Sequence, residues 1–260
     1  MSRPGQDPVP GVPEGSAAYY ALLFTPPTRR SAIAALFALG QEFDQIATRR
    51  GEPSVTQAKM RWWDDEIRRL VKGEARHPVT QAMTDEPSLV SIEELLLEMA
   101  ACTASLAQAM AVADHEKTIE LECRRGAALM GAAAILLTGA RNVDRILTPA
   151  RSIGAAGRLT TLLRHEPDLS ASRHLLQPEA RSGLDEGLAS LPREYRADLA
   201  PVLIYGQIQR RRIGLIDNPQ EPGSRLGRAF DTLSDLGTAW RTARRAARLE
   251  APPDIREKKT

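Results

Sequence analysis

The segment 29–49 repeats apolar residues at the spacing of an α-helix and ends in polar side chains. Residues three and four apart share one helix face, and the apolar residues follow that spacing at Ile33, Leu36, Phe37, Leu39, Phe43 and Ile46. Most of the chain repeats this pattern between prolines and glycines, whereas strand patterns are nearly absent. The pattern predicts an all-α protein with helices over 16–24, 29–49, 55–72, 92–113, 117–139, 147–165, 182–191, 195–215 and 224–249, and a further short helix that begins near His77.

The length of 260 residues, 42% of them hydrophobic, suits one large domain. We expect a disordered leader at 1–15, one helical domain over 16–249 and a polar tail at 250–260. Cys102 and Cys123 lack the spacing of a zinc site or redox pair, so both are expected to be reduced.

The charge is nearly balanced, with 35 basic and 33 acidic residues and a net charge of +2. This argues against the strong positive field of a nucleic-acid-binding protein. The first 13 residues lack the apolar core of a signal peptide, and the longest uncharged stretch has 15 residues, fewer than the ~20 that span a bilayer. We therefore expect a cytoplasmic location.

Six segments together resemble a known family. Four lie in the first half, at 19–30, 32–48, 62–70 and 73–79, and include the pair Trp62-Trp63 and a Gly-x-x-x-His-Pro-Val run ending at Val79. Two lie in the second half, at 158–164 and 174–178. The chain resembles the squalene/phytoene synthase family, including its bacterial members.

That resemblance implies both a fold and an activity. The fold would be an isoprenoid-synthase-like helical bundle around a central apolar cavity. The activity would be the head-to-head joining of two prenyl diphosphates, with magnesium ions held by two aspartate-rich motifs.

The first of those motifs is mostly missing. In the family this helix usually ends Arg-Glu-Leu-Asp-Asp-Ile-Val-Asp, and here only Glu42 and Asp44 remain of its acidic residues. Gln41 replaces the arginine, Gln45 the second aspartate and Thr48 the last. Because magnesium sits on several oxygen ligands, the lone Asp44 is more typical of a solvated residue than of a metal ligand.

The second motif is also incomplete. Family members continue Arg-Asp-x-x-Glu-Asp, but here His165 and Leu169 replace aspartates, while Arg164 remains. Glu166 and Asp168 could be displaced ligands, although Pro167 would break the helix there. The resemblance thus leaves a vestigial diphosphate and metal site of Glu42, Asp44, Arg164 and Asp168, with Tyr20, Phe37 and Tyr205 lining its pocket and no catalytic or metal-ligating residue.

Three functions follow from this pattern. The favoured one is a catalytically degenerate family member with an assembly or scaffolding role, similar to the non-catalytic branch that assists respiratory complex I assembly, or with an isoprenoid- or lipid-binding role. The alternative is an active magnesium-dependent transferase of the squalene, hydroxysqualene or phytoene synthase type, acting on farnesyl or geranylgeranyl diphosphate. A lipid carrier without chemistry is the third.

These functions imply different partners. The degenerate member needs no cofactor, whereas the active transferase needs magnesium. A prenyl lipid, a membrane surface and a protein are the expected partners, and a membrane partner would place the protein at the periphery of the inner membrane.

Two charged segments have alternative interpretations. The run 64–66, Asp-Asp-Glu, looks like an aspartate-rich motif, but its helix also carries Arg61, Arg68 and Arg69, which favours a paired, exposed face. The arginines at 241, 244, 245 and 248 form a basic stripe on one helix face. That stripe is either simply solvated or rests on anionic lipid or an acidic partner.

Overall fold

The structure is a computed structural model that describes residues 12–48, 53–216 and 225–248. These residues form ten α-helices and two short 3₁₀ turns, with no strand among them, so the predicted all-α class is confirmed. The predicted leader and tail fall mainly outside the described residues. The helices are α1 Ala17–Leu23, α2 Pro27–Thr48, α3 Pro53–Val71, α4 Pro78–Gln81, α5 Leu89–Ala111, α6 His115–Thr138, α7 Val143–His165, α8 Arg173–Ser190, α9 Ala200–Ile213 and α10 Arg225–Arg248.

Helix α6 lies at the centre of the bundle and packs most extensively against α7 and α5. Its second half, an Ala-rich stretch, is almost entirely buried. Helices α2, α8 and α9 surround this centre, and α10 packs on the outside against α9 and α1. No helix among the described residues is long and apolar enough to cross a membrane.

Two glycines set the spacing between α6 and α7. A Cβ atom on Gly126 would lie 2.5 Å from the carbonyl oxygen of Gly154, and one on Gly154 would lie 2.1 Å from that of Gly126. Only glycine fits at so close a backbone contact. The contact therefore brings the α6 residue next to Gly126, Arg125, close to Arg158 on α7.

Helix α8 begins earlier than the sequence predicts. Residues through Pro178 were expected to be irregular, yet the helix runs from Arg173 to Ser190 with Pro178 inside it. Pro178 is exposed, while Ala180, Leu184 and Leu188 are buried against the core. Burial of that face outweighs the backbone hydrogen bond that a proline removes.

The buried face of α3 also differs from the prediction. The sequence analysis places an exposed charged face at 64–66, but Glu66 is fully buried. One of its oxygens accepts from the backbone N–H groups of Arg76 (2.7 Å) and His77 (2.8 Å) and from the hydroxyl of Thr80 (2.6 Å). The other oxygen pairs with Arg69. The carboxylate thus ties α3 to the segment that leads into α4.

Candidate functional site

Four charged side chains from three helices form an ion-pair cluster. Asp44 of α2 accepts from Arg125 of α6 and, at 2.8 Å, from Arg158 of α7. Glu122, one turn before Arg125, accepts from Arg125 at 2.9 Å and from Arg158 at 2.6 Å. Each acid therefore contacts both arginines, and we call Asp44, Glu122, Arg125 and Arg158 the charge cluster.

The charge cluster is largely buried, and its members differ in how well they are neutralised. Burial alone would raise the pKa of Glu122, but Arg158 and Arg125 hold it below its ordinary value. Burial tends to lower the pKa of Arg158, yet Glu122 and Asp44 raise it overall. The pKa of Arg125 is lowered, first by burial and then by Arg158. Since arginine stays charged in proteins, Arg125 holds the less compensated positive charge.

Arg125 also has an unused donor. Its Nη1 is buried and has no hydrogen-bond partner among the described residues, and only 5% of its side chain is exposed. An unpaired buried donor costs about 1–3 kcal/mol, more when it is charged. An anionic oxygen beside Nη1 would remove that cost.

Two cavities adjoin the charge cluster. The first has a volume of about 520 Å³ and is lined by Phe37, Gly40, Asp44, Arg125, Leu129 and Tyr205, among others. The second has about 980 Å³ and an apolar wall that includes Met110, Ile119, Leu162 and Leu169. Arg158, Thr161 and His165 line both, so the two cavities meet at the charge cluster.

The first cavity carries an excess of positive charge. Among the described residues, four arginines line it, at 125, 158, 164 and 212, against the two acids Glu14 and Asp44. Arg212 is engaged by Asp235. Arg164 is exposed and has no ion pair or hydrogen bond to the rest of the described chain. The cavity therefore offers two incompletely paired guanidinium groups, Arg125 and Arg164, to an anion.

The structure brings only part of the predicted vestigial site together. Asp44 and Arg164 both line the first cavity, whereas Asp168 lines the second. Glu42 lines neither cavity. Two residues along a helix turn a side chain about 200°, so Glu42 and Asp44 leave α2 in nearly opposite directions.

The predicted pocket-lining residues are also divided. Phe37 and Tyr205 line the first cavity. Tyr205 also closes over Gly157, where a Cβ atom would lie 2.5 Å from its ring. Tyr20 instead packs among Ala17, Ile204, Ile208 and Ala239, and its hydroxyl donates to the backbone oxygen of Thr232 at 3.3 Å. Tyr20 therefore packs at the junction of α1, α9 and α10 and does not line the cavity.

The sequence analysis missed Glu122 and Arg125 and did not assign a role to Arg158. A signal existed, because Glu122 and Arg125 are charged residues one turn apart on a helix whose other buried residues are mostly small and apolar. Charged residues are rarely buried unless they are paired. Arg125 and Arg158, however, lie 81 and 114 residues from Asp44 along the chain, and no local pattern connects residues that far apart.

The donors at this position do not fit a magnesium site. Within the described ranges no three His, Cys, Asp or Glu side chains lie close enough together to hold one metal ion. Asp44 and Glu122 are neighbours, but each is engaged by both arginines. A cation entering between them would have to displace two guanidinium groups.

These features define a class: an all-α bundle with a central cavity and a charged cluster where α2, α6 and α7 meet. The family model for squalene/phytoene synthase matches residues 13–179, which include most of that site. The chain belongs to the squalene/phytoene synthase family. Searches of curated proteins and of solved structures gave no significant match.

Proposed function

We propose that this chain is a catalytically inactive member of its family that binds an isoprenoid or lipid with an anionic head group, without a metal ion. The observation that supports this proposal most strongly is the charge cluster. Its two arginines form ion pairs with the carboxylates that a metal would need. One of them, Arg125, has a buried donor without a partner among the described residues.

The electrostatics favour direct anion binding. A catalytic prenyltransferase would use metal ions to stabilise the departing diphosphate. Here guanidinium groups supply the positive charge, and arginine donors suit phosphate and carboxylate oxygens. Arg125 and Arg164 would contact the head group, while Asp44 would oppose it as the nearest negative charge.

The two cavities provide room for the rest of the ligand. Their volumes lie within the usual range of small-molecule sites, and the second has apolar walls from α5, α6 and α7. A head group near Arg158 would therefore leave its tail among Met110, Ile119 and Leu162.

The test is a binding titration with farnesyl and geranylgeranyl diphosphate, carried out with EDTA and repeated with magnesium. We expect binding that does not need magnesium. Arg125→Met should weaken it at least tenfold, because the variant removes a charged donor worth about 1.5–3 kcal/mol. The neighbouring, exposed Arg124, which pairs with Glu98 and Glu120, provides the matched control Arg124→Met, which should bind like the wild type.

Asp44→Asn separates anion binding from metal-dependent catalysis. It removes a negative charge from the cavity and should therefore tighten metal-free binding, whereas loss of a metal ligand would weaken magnesium-dependent binding. Pyrophosphate release should also be measured with magnesium, with and without NADPH. Release above background that Asp44→Asn abolishes would overturn the proposal in favour of an active transferase.

The assembly or scaffolding role stays a prediction. A folded chain that neither releases pyrophosphate nor binds either diphosphate would overturn the ligand-binding proposal. The search would then turn to proteins that co-purify with the chain.

A further inference from the structure

Helix α10 has a well-defined inner face. Ala239 and Ala246 are buried, and Asp235 is 3% exposed. Asp235 accepts from Arg211 at 2.7 Å and from Arg212 at 2.7 Å, both in the last turn of α9. These contacts fix which side of α10 faces the protein.

Another side of α10 exposes large apolar residues. Leu233 is 65% exposed, Leu236 41% and Trp240 51%. Their spacing of three and four residues places them in one stripe along the helix. We call Leu233, Leu236 and Trp240 the apolar stripe.

Arginines continue and flank the apolar stripe. Arg241, Arg244, Arg245 and Arg248 are exposed, and none forms an ion pair with another part of the described chain. The Arg244 guanidinium lies 4.7 Å from the centre of the Trp240 ring. At 100° per residue, Arg244 follows the stripe directly, while Arg241 and Arg248 lie along one side of it.

The neighbouring arginines of α9 are different. Arg210 pairs with Asp185, Arg211 with Asp231 and Asp235, and Arg212 with Asp235. Positive charge is therefore neutralised where α9 meets its neighbours and left uncompensated on the outer surface of α10. This difference points to an external partner that carries negative charge.

We propose that the outer face of α10 docks on the surface of an anionic lipid bilayer. An amphipathic helix in the plane of the interface buries its apolar side at the boundary of the acyl chains and places its basic side chains at the head groups. Tryptophan favours that boundary because its ring is apolar and its N–H is polar. The arginines complement the phosphates of anionic lipids.

This inference is independent of the proposed ligand in the cavity. It uses none of the charge-cluster residues, and none of the α10 side chains that the structure describes lines either cavity. The Arg125→Met variant should therefore bind vesicles like the wild type, even if it no longer binds a diphosphate.

The experiment is vesicle flotation of the full chain, comparing pure phosphatidylcholine with phosphatidylcholine that contains phosphatidylglycerol. We expect flotation only with the anionic vesicles, and less of it as salt is raised. Arg244→Gln combined with Arg248→Gln should weaken binding about 25-fold, given roughly fivefold for each arginine. Leu233→Ser combined with Trp240→Ser should weaken it at least tenfold.

Matched controls are available on α3 and α8. Trp62 is 43% exposed and has an arginine, Arg69, near its ring, so Trp62→Ser controls for loss of an exposed tryptophan. Arg61→Gln combined with Arg181→Gln removes two exposed arginines elsewhere. Both control proteins should float like the wild type, and circular dichroism should show every variant to be helical.

Three outcomes would overturn the proposal. One is no flotation with anionic vesicles, which would point to an acidic protein as the partner instead. Another is equal flotation with neutral vesicles. The third is α10 variants that float as well as the wild type.

Discussion

Glu66 and Glu122 are both buried carboxylates, but they are held by different kinds of partner. Glu66 is held mainly by backbone N–H groups, a hydroxyl and one arginine, and it lies away from both cavities. Glu122 is held by two arginines that it shares with Asp44 where the cavities meet. The difference separates a carboxylate that fixes a local fold from one that neutralises the arginines of the candidate site.

The largest expected effect is on the charge cluster. Arg158→Met would leave buried Glu122 and Asp44 with Arg125 alone, and breaking such a pair should lower the free energy of unfolding by about 3–5 kcal/mol. Urea denaturation at pH 7 measures the change. Arg151→Met is the control, since Arg151 lies two turns earlier on α7 and pairs with the partly exposed Glu98. It should cost about 1 kcal/mol, and equal losses in the two variants would contradict the special role of the cluster.

The next effect is on Glu66 and depends on pH. Burial would raise the pKa of Glu66, but the backbone N–H of His77, the Thr80 hydroxyl, the backbone N–H of Arg76 and the Arg69 side chain lower it to about 2. A carboxyl whose pKa is depressed in the folded state stabilises the protein above its ordinary pKa, near 4.5, and loses that contribution as pH falls toward 2. Glu66→Gln should therefore cost about 2–3 kcal/mol at pH 7.

Urea denaturation at pH 7 and at pH 3 tests this linkage. The stability difference between the wild type and Glu66→Gln should shrink at the lower pH. Asp64→Asn, which changes an acid on the same helix that pairs with exposed Arg68, should change stability by at most about 0.5 kcal/mol at either pH. A difference for Glu66→Gln that stays constant with pH would show that its carboxylate is not the stabilising group.

The smallest expected effect is that of Asp44→Asn. The Asp44 side chain is 24% exposed, and the amide oxygen of asparagine can still accept from one arginine, so the loss should be about 1 kcal/mol or less. The paired comparison is Glu122→Gln, in which the changed side chain is only 8% exposed and the loss should be about 2–3 kcal/mol. Thermal unfolding of both variants ranks them, and the reverse order would assign the structural role to Asp44.

Much of the fold could be predicted from the sequence. The periodicity of apolar residues located every long helix within a few residues, except at α8, where burial of Ala180 and Leu184 carries the helix through Pro178. Predictions on helix faces were less accurate. On α3, apolar spacing alone would place Ala58, Trp62, Ile67 and Leu70 on the inward face. Ala58 and Trp62 are instead exposed, and the buried apolar positions are Met60, Trp63, Ile67 and Leu70.

The site was predicted only in part. Motif comparison identified Asp44 and Arg164, which both line the first cavity, and it led to the prediction that both aspartate-rich motifs are degraded. It did not identify Glu122 and Arg125, which match no motif, and it counted Glu42 and Asp168, which lie away from the charge cluster. A motif records which residues are present, whereas a charged site depends on which side chains converge.

The sequence by itself determined the helical class and the family, and it predicted the loss of most carboxylates that would hold magnesium. Those properties follow from local periodicity and from residue types at fixed spacings. The tertiary structure alone decided that Arg125 and Arg158 form ion pairs with Asp44 and that Glu66 is buried. It also decided that the arginines of α9 are paired, while those of α10 form no ion pair within the described chain. These outcomes depend on contacts between residues far apart in the chain, and only the packing of helices such as α6 on α7 at Gly126 and Gly154 brings them together.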